Sequence, residues 1–471
     1  MRVGQQTERR RRAGNPLRFV LTVGGAGALV LACAWMYLDG LGSRAQSLAA
    51  AGEPNAPRRP VLSARRTPDT LSFLTRTRAV SSSIGEVTAI LPKGACLNIH
   101  WLGQQMVSVA TDAPLVPGSV MKLVTASVAL EVLGPDHRFE TAVRVTRNPD
   151  GSVADLFLVG GGDPVLTRDE YVATEKYPSF NNTRLEEVVD RIVAAGVTSI
   201  SGRVVGVDTL FDAERYVPDW PASFHGVEAG PLGALMVSDG VVTGQPVKPD
   251  DPALSAAQEL SALLAVRGVP VAAGAAHDVL PEGTQELFVQ QSAPLSAVVQ
   301  EMLVNSDNNT AELLLKHVGL ARKGLGSTAN GVSSAMEVLN EWDAAQGVVM
   351  VDGSGLSASN RLTCGAVMKI LDREAKVLPA LLAVAGETGT LRDLLTNTSA
   401  EGRLVGKTGT LSGVKGLAGY VPVEGEVPLE FSLLMNKTGI DNRSAYRPVW
   451  NRLAESVGRA SASPRPGDLA P

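Results

Sequence analysis

Pro117-Gly-Ser-Val-Met-Lys-Leu123 is the stretch on which the reading of this chain turns. Pro-Gly breaks the strand-like alternation upstream. Apolar residues at helical spacing then run to Leu133, where Gly134-Pro135 stops the helix. Residues three apart on a helix share a face, about 5–6 Å from each other, so Ser119 and Lys122 point into one site. Ser119 stands at the helix start, where free N–H groups and the dipole favour a developing oxyanion. A serine hydroxyl attacks only when a base takes its proton. Lys122 can be that base when neutral, and burial or a second cation lowers a lysine pKa. Ser-x-x-Lys is a common pattern, and by itself reads as a chance match on a surface helix.

Two further motifs follow in order. Ser306-Asp307-Asn308 lies between helical patterns at Pro294 to Val304 and Asn309 to Val318. Ser306 would relay a proton to a leaving amine and Asn308 would hold a substrate amide. The competing reading is a helix cap, a position that Ser, Asp and Asn all favour. Lys407-Thr408-Gly409-Thr410 opens a predicted strand whose edge can pair with an extended peptide. Gly409 leaves room for close backbone approach. Lys407 and the threonine hydroxyls would hold a terminal carboxylate, and Lys407 is the expected second cation beside Lys122. The N–H groups of Thr410 and Ser119 would form an oxyanion hole. A second Lys437-Thr438-Gly439 follows a strand rather than opening one and is set aside. Nucleophile, base, second serine with an amide, and cationic strand edge together describe acyl transfer.

The rest of the chain sets the context. Its 471 residues leave room for two or more domains, and a net charge of −5 gives no case for nucleic acid. Arg9 to Arg12 precede an uncharged apolar run from Phe19 to Leu38. About 20 residues at helical rise cross a bilayer, and arginines on the amino side predict that end in the cytoplasm. The run reads as a retained anchor, with a cleaved signal peptide as the alternative. Residues 39–80 read as an extracytoplasmic linker and 458–471 as a disordered tail. Of three cysteines, Cys33 lies in the apolar run. Cys96 and Cys364 form one disulfide in an oxidising compartment or remain two buried thiols. No Cys/His spacing suggests a metal, and the chemistry requires no cofactor.

With these residues in view, the chain resembles the D-alanyl-D-alanine carboxypeptidase/endopeptidases of the low-molecular-mass class C penicillin-binding proteins, peptidase family S13. The likeness runs from about residue 85 to 455. It is carried by the three motifs, Ala129-Leu-Glu-Val-Leu-Gly-Pro135, Leu158-Val-Gly-Gly-Gly-Asp-Pro164 and Asp352-Gly-Ser-Gly-Leu-Ser357. It implies an α+β fold with a serine β-lactamase/transpeptidase-like core, an antiparallel sheet flanked by helices. The long separation of Ser119 from Ser306 fits domains inserted between the first two motifs. The catalytic part is then expected at 81–150 and 290–457, with the insertion at 151–289, a basic tail at 1–18 and the transmembrane helix at 19–38. The resemblance implies hydrolysis of peptidoglycan stem peptides through an acyl-enzyme, with β-lactams as inhibitors. Ser119 is then the nucleophile, Lys122 the base, Ser306 and Asn308 act in proton transfer and binding, and Lys407, Thr408, Gly409 and Thr410 bind substrate. Two other readings use the same core. A β-lactamase needs a dedicated deacylating base, and no acid stands at convincing spacing after Asn308. A non-catalytic wall-binding scaffold would have no need of three intact motifs.

Overall fold

The computed structural model describes residues 29–39, 68–242, 244–424, 426–462 and 464. The chain divides into two units, 1–66 and 67–471. In the first, residues 29–39 are helical, with Cys33 a free, exposed thiol. Residues 19–28 of the apolar run and the basic tail lie outside the described residues. No helix among those described is long and apolar enough to cross a membrane.

The second unit is built on two sheets. The first contains β1 (Ala95–Trp101), β2 (Gln104–Val109) and four strands from the far end of the chain. The second contains β3 (Glu140–Arg147), β4 (Val153–Val159), β5 (Val204–Val207), β6 (Ala275–His277) and β7 (Gln285–Gln291), in the order β6-β5-β4-β3-β7. The late strands of the first sheet are β8 (Ala383–Val384), β9 (Val405–Leu411), β10 (Val414–Val421) and β11 (Leu429–Asn436). That sheet is antiparallel throughout, in the order β8-β9-β10-β11-β1-β2.

Helices cover both faces of the first sheet. On one side are α1 (Pro68–Thr88) and the final helix. On the other are α2 (Met121–Leu133), α5 (Leu295–Asn305), α6 (Asn308–Lys323), α7 (Thr328–Glu341) and α8 (Cys364–Arg373). The final helix, α9, is Arg443–Ser461. Strand residues alternate between the two layers as a period of two requires. Ala418, Tyr420 and Leu434 pack with the five helices, while Leu417, Phe431 and Leu433 pack with α1 and α9. Ten consecutive residues of α2, Met121 to Leu130, are buried, so this helix is core on every face. The second sheet packs on α3 (Leu185–Ala194) and α4 (Pro252–Val266) through Leu156, Leu158, Val188, Ile192 and Leu260. Cys96 of β1 is bonded to Cys364 at the start of α8, with Cα atoms 5.9 Å apart.

Three expected boundaries are corrected. The linker expected over 39–80 ends by residue 67, because α1 begins at Pro68. Its buried stripe is Ser72, Arg76, Val80 and Val87, and the two polar members hide the helical period. Arg76 is fully buried and donates to the carbonyls of Ala460 and Ser461, both at 2.8 Å, and its guanidinium lies 4.4 Å from the Trp101 ring centroid. It thus takes the last carbonyls of α9, the negative end of that helix. The tail expected from residue 458 starts later, since α9 runs to Ser461 with Gly458 and Ala460 buried; residues 465–471 lie outside the described residues. The insertion begins before 151: β3 pairs with β4 and β7, so Glu140–Arg147 belongs to the second sheet and not to the first. Residues 140–150 follow the nucleophile helix in sequence, but hydrogen bonding assigns them to the other sheet.

Candidate active site

Gly118 has φ +53, a conformation that suits glycine, and it carries the chain from Pro117 into a 3-10 turn at Gly118–Val120 that leads into α2. A Cβ on Gly118 would lie 2.9 Å from Thr410 N, so the turn that leads into α2 abuts β9. Two glycines paired across strands, Gly409 and Gly416, make the contact possible. A Cβ at Gly409 would stand 2.3 Å from the Pro117 carbonyl, and one at Gly416 would stand 2.9 Å from Val120 Cγ2. Gly409 therefore admits the nucleophile helix itself to the strand. The backbone N–H of Thr410 is held against Gly118, the residue before Ser119, as a result.

Lys122 is fully buried. Its Nζ lies 3.1 Å from Ser119 Oγ, 2.7 Å from Asn308 Oδ1 and 2.7 Å from the Ser354 carbonyl. A neutral amine has two N–H groups and one lone pair. Asn308 Oδ1 and the Ser354 carbonyl oxygen can only accept, so they take the two hydrogens and the lone pair faces the Ser119 hydroxyl. Burial lowers the Lys122 pKa to about 8, against the opposing pull of Glu312, Asp307 and Asp352. Burial is the largest cause. Lys407 is itself pushed well below its ordinary value by burial first and by its repulsion with Lys122 second, and that repulsion is mutual.

Ser306 closes α5 in the left-handed conformation, φ 68, and accepts a 2.7 Å bond from Lys407 Nζ. A non-glycine residue there costs about 1–2 kcal/mol, which a plain turn would avoid by using glycine. The cap reading holds for the middle residue alone. Asp307 is the N-cap of α6, accepting from Thr310 N at 2.7 Å, while Ser306 and Asn308 face the cleft. Asn308 donates its Nδ2 hydrogen to the Glu228 carbonyl at 2.7 Å. Lys407 also donates to the Thr408 carbonyl at 3.0 Å.

The strand edge is open where the chemistry needs it. β8 pairs with β9 at Gly406 and Val405 only, whereas β10 pairs along the whole of β9. From Lys407 onward, β9 has no strand partner on the β8 side among the described residues. The cleft there has a volume of about 760 Å³ and is lined by Ser119, Ser306, Asn308, Thr408 and Thr410 among others. Lys122 and Lys407 lie beneath its floor.

Other residues of the site were not legible in advance. Glu312, fully buried one turn after Asn308, accepts from Gly353 N at 3.1 Å and Ser354 N at 2.7 Å. Burial raises its carboxyl above the usual range. Asp352 accepts from Gly355 N, Ser357 N, Asn360 Nδ2 and, from the inserted part of the chain, Trp220 Nε1. Together they fix the 352–356 loop so that the Ser354 carbonyl meets Lys122. The i, i+4 spacing of Asn308 and Glu312 was the available signal. Lys415 donates to Thr410 Oγ1 at 2.7 Å and sits 4.1 Å over the Tyr446 ring; burial lowers its pKa to about 8.

Comparison with known proteins agrees with this geometry. The model of the D-Ala-D-Ala carboxypeptidase 3 (S13) family matches residues 98–250 and 243–456. A D-alanyl-D-alanine carboxypeptidase from an Actinomadura species is 31% identical over 446 residues, covering 76% of this chain and 80% of the relative. A carboxypeptidase of Mycobacterium tuberculosis is 31% identical over 369 residues, covering 74% and 77%. Among solved structures, penicillin binding protein 4 from Haemophilus influenzae superposes with a TM-score of 0.65 at 18% identity, over 79% of this chain and 98% of that one. A predatory peptidoglycan endopeptidase of Bdellovibrio bacteriovorus gives 0.51 at 19%, over 76% and 90%, and supports the same α+β fold. With the three motifs meeting at one cleft, the chain belongs to the D-Ala-D-Ala carboxypeptidase 3 (S13) family of serine peptidases.

Proposed function

We propose that this serine-type D-alanyl-D-alanine peptidase opens the terminal D-Ala-D-Ala bond of peptidoglycan stem peptides, and D-Ala cross-links between them, through an acyl-enzyme on Ser119. The observation that carries the proposal is the set of three contacts around Lys122 Nζ, which aims its lone pair at Ser119 Oγ. Lys122 takes the hydroxyl proton as Oγ attacks the carbonyl carbon. The N–H groups of Ser119 and Thr410 receive the developing oxyanion. Collapse breaks the C–N bond, and the proton reaches the leaving amine by way of Ser306, held by Lys407. Water then attacks the ester, with Lys122 again as base. Lys407, Thr408 and Thr410 bind the substrate carboxylate, and the free edge of β9 pairs with its backbone. Relatives named for D-alanyl-D-alanine carboxypeptidase and peptidoglycan endopeptidase activity support this substrate. A β-lactam complex of a structural neighbour, penicillin binding protein 4 from Haemophilus influenzae, supports β-lactam binding.

The N-terminal arginines and the apolar run from Phe19 support an enzyme tethered to the membrane with its catalytic unit outside the cytoplasm. Fluorescent penicillin labelling beside D-alanine release from a pentapeptide tests the chemistry. Both should vanish in Ser119→Ala; D-alanine release that survives this change refutes the assignment. Protease shaving of intact cells tests the tether, since a catalytic unit shielded from protease would argue against it.

A further inference from the structure

A groove of about 540 Å³ continues from the cleft on the side of Ser306 and Lys407. Tyr177 lines both spaces. One turn supplies both walls, with Thr390 and Asp393 facing the cleft and Thr388 and Arg392 facing the groove. The groove floor comes from Pro178, Phe180, Gln300, Val304, Leu382 and Val384. Val304 and Asn305 immediately precede Ser306, and Val384 pairs with Val405, two residues before Lys407. The groove therefore begins where the proton donor to the leaving amine stands, and it lies away from Leu411 and Ser412 at the other end of the cleft.

We infer that this groove is the subsite for the leaving strand of a cross-link, a second stem peptide whose amine is released when Ser119 is acylated. The inference rests on the D,D-peptidase reading above. Free D-alanine ends at the carboxylate contacts of Lys407 and the threonines and has no atoms to place there. A leaving peptide is longer and has atoms to lay along Pro178, Phe180 and Val384. The exposed rim carries Glu387 and Arg392, one charge of each sign, as a peptide with free amine and carboxylate requires. Cleavage is balanced as before. The Ser119 ester forms, the C–N bond of the cross-link breaks, and the proton from Ser119 leaves with the amine of the second peptide.

Ala380 is exposed on the groove wall, and its carbonyl accepts from Gln300 Nε2 at 3.1 Å. Ala380→Trp fills the groove without touching the core. The test compares kcat/KM for a cross-linked peptide dimer with kcat/KM for a pentapeptide, in the full chain, with penicillin labelling as the check on folding. The ratio of dimer to pentapeptide should fall about tenfold in Ala380→Trp and a few-fold in Gln300→Ala. An unchanged ratio in both variants overturns the inference, as does wild-type enzyme that releases D-alanine yet leaves the dimer intact. Reduced binding to insoluble wall with unaltered dimer cleavage would assign the groove to glycan instead and also overturn it. Wild-type enzyme that no penicillin labels would sink the underlying peptidase reading.

Discussion

The rate of acylation should rise with pH through about 8, because Lys122 must lose its proton before it can take one from Ser119. The sign follows from burial. The ammonium form is penalised, so the folded pKa falls from 10.5 to about 8. At pH 6.5 about 3% of Lys122 is neutral on this value, and at pH 8 about half is. The second-order acylation constant should therefore climb about 15-fold across that window, one decade per pH unit at the acid end. Stopped-flow measurement with a fluorescent penicillin, from pH 6 to 9.5 at constant ionic strength, reads it directly. Lys122→Arg keeps the charge and loses the base, so the rate should drop about 10²–10⁴-fold. A flat profile from pH 6.5 to 8, or one that falls, would refute Lys122 as the titrating base.

Gly409→Ala should lower acylation at least about 100-fold, since a Cβ 2.3 Å from the Pro117 carbonyl forces β9 off the nucleophile helix and moves the Thr410 N–H. A kinetic profile like wild type would show that this N–H is not in the reaction. Arg76→Ala should cost about 2–4 kcal/mol in urea unfolding, because it strands the Ala460 and Ser461 carbonyls and opens a hole beside Trp101. A loss under about 1 kcal/mol would mean that α1 contributes little to the fold. Replacing Cys96 and Cys364 by alanine opens a bridge spanning 268 residues, so stability should fall by about 3–5 kcal/mol and melting by several degrees. An unshifted melting curve in reductant would argue that the bond is absent in solution.

The parts of the fold legible in the sequence were those where chemistry or pattern restricts the choice. The S-x-x-K pair needs a helix start, and Pro117-Gly118 announces one. β1 alternates apolar and polar residues from Leu97 to Trp101, and Lys407-Thr408-Gly409-Thr410 lies on a strand, β9, as expected. What escaped notice was buried polarity. α1 hides because Ser72 and Arg76 occupy core positions, where a periodicity argument expects apolar residues. Glu312 reads as a solvent-facing acid until the 352–356 loop is folded over it. β3 was misassigned because sequence proximity to α2 says nothing about which sheet supplies its hydrogen bonds. How deeply Lys122 and Lys407 are buried, which is the largest cause of the pKa shift of each, is conveyed by no spacing of letters.

A two-residue β8 has a price beyond the active site. Exposed main-chain donors and acceptors recruit any extended polypeptide, and most proteins cover such edges to avoid sticking to one another. Here covering the edge would abolish substrate pairing, so the hazard and the function occupy the same few residues of β9. Lys415, which donates to Thr410 Oγ1 beside that edge, supplies the guard, since charge beside an unpaired edge discourages self-association while favouring a chain that ends in a carboxylate. Selection for solubility and selection for substrate would then act through the same lysine, and Lys415→Ala should leave a protein that clumps as well as one that hydrolyses poorly.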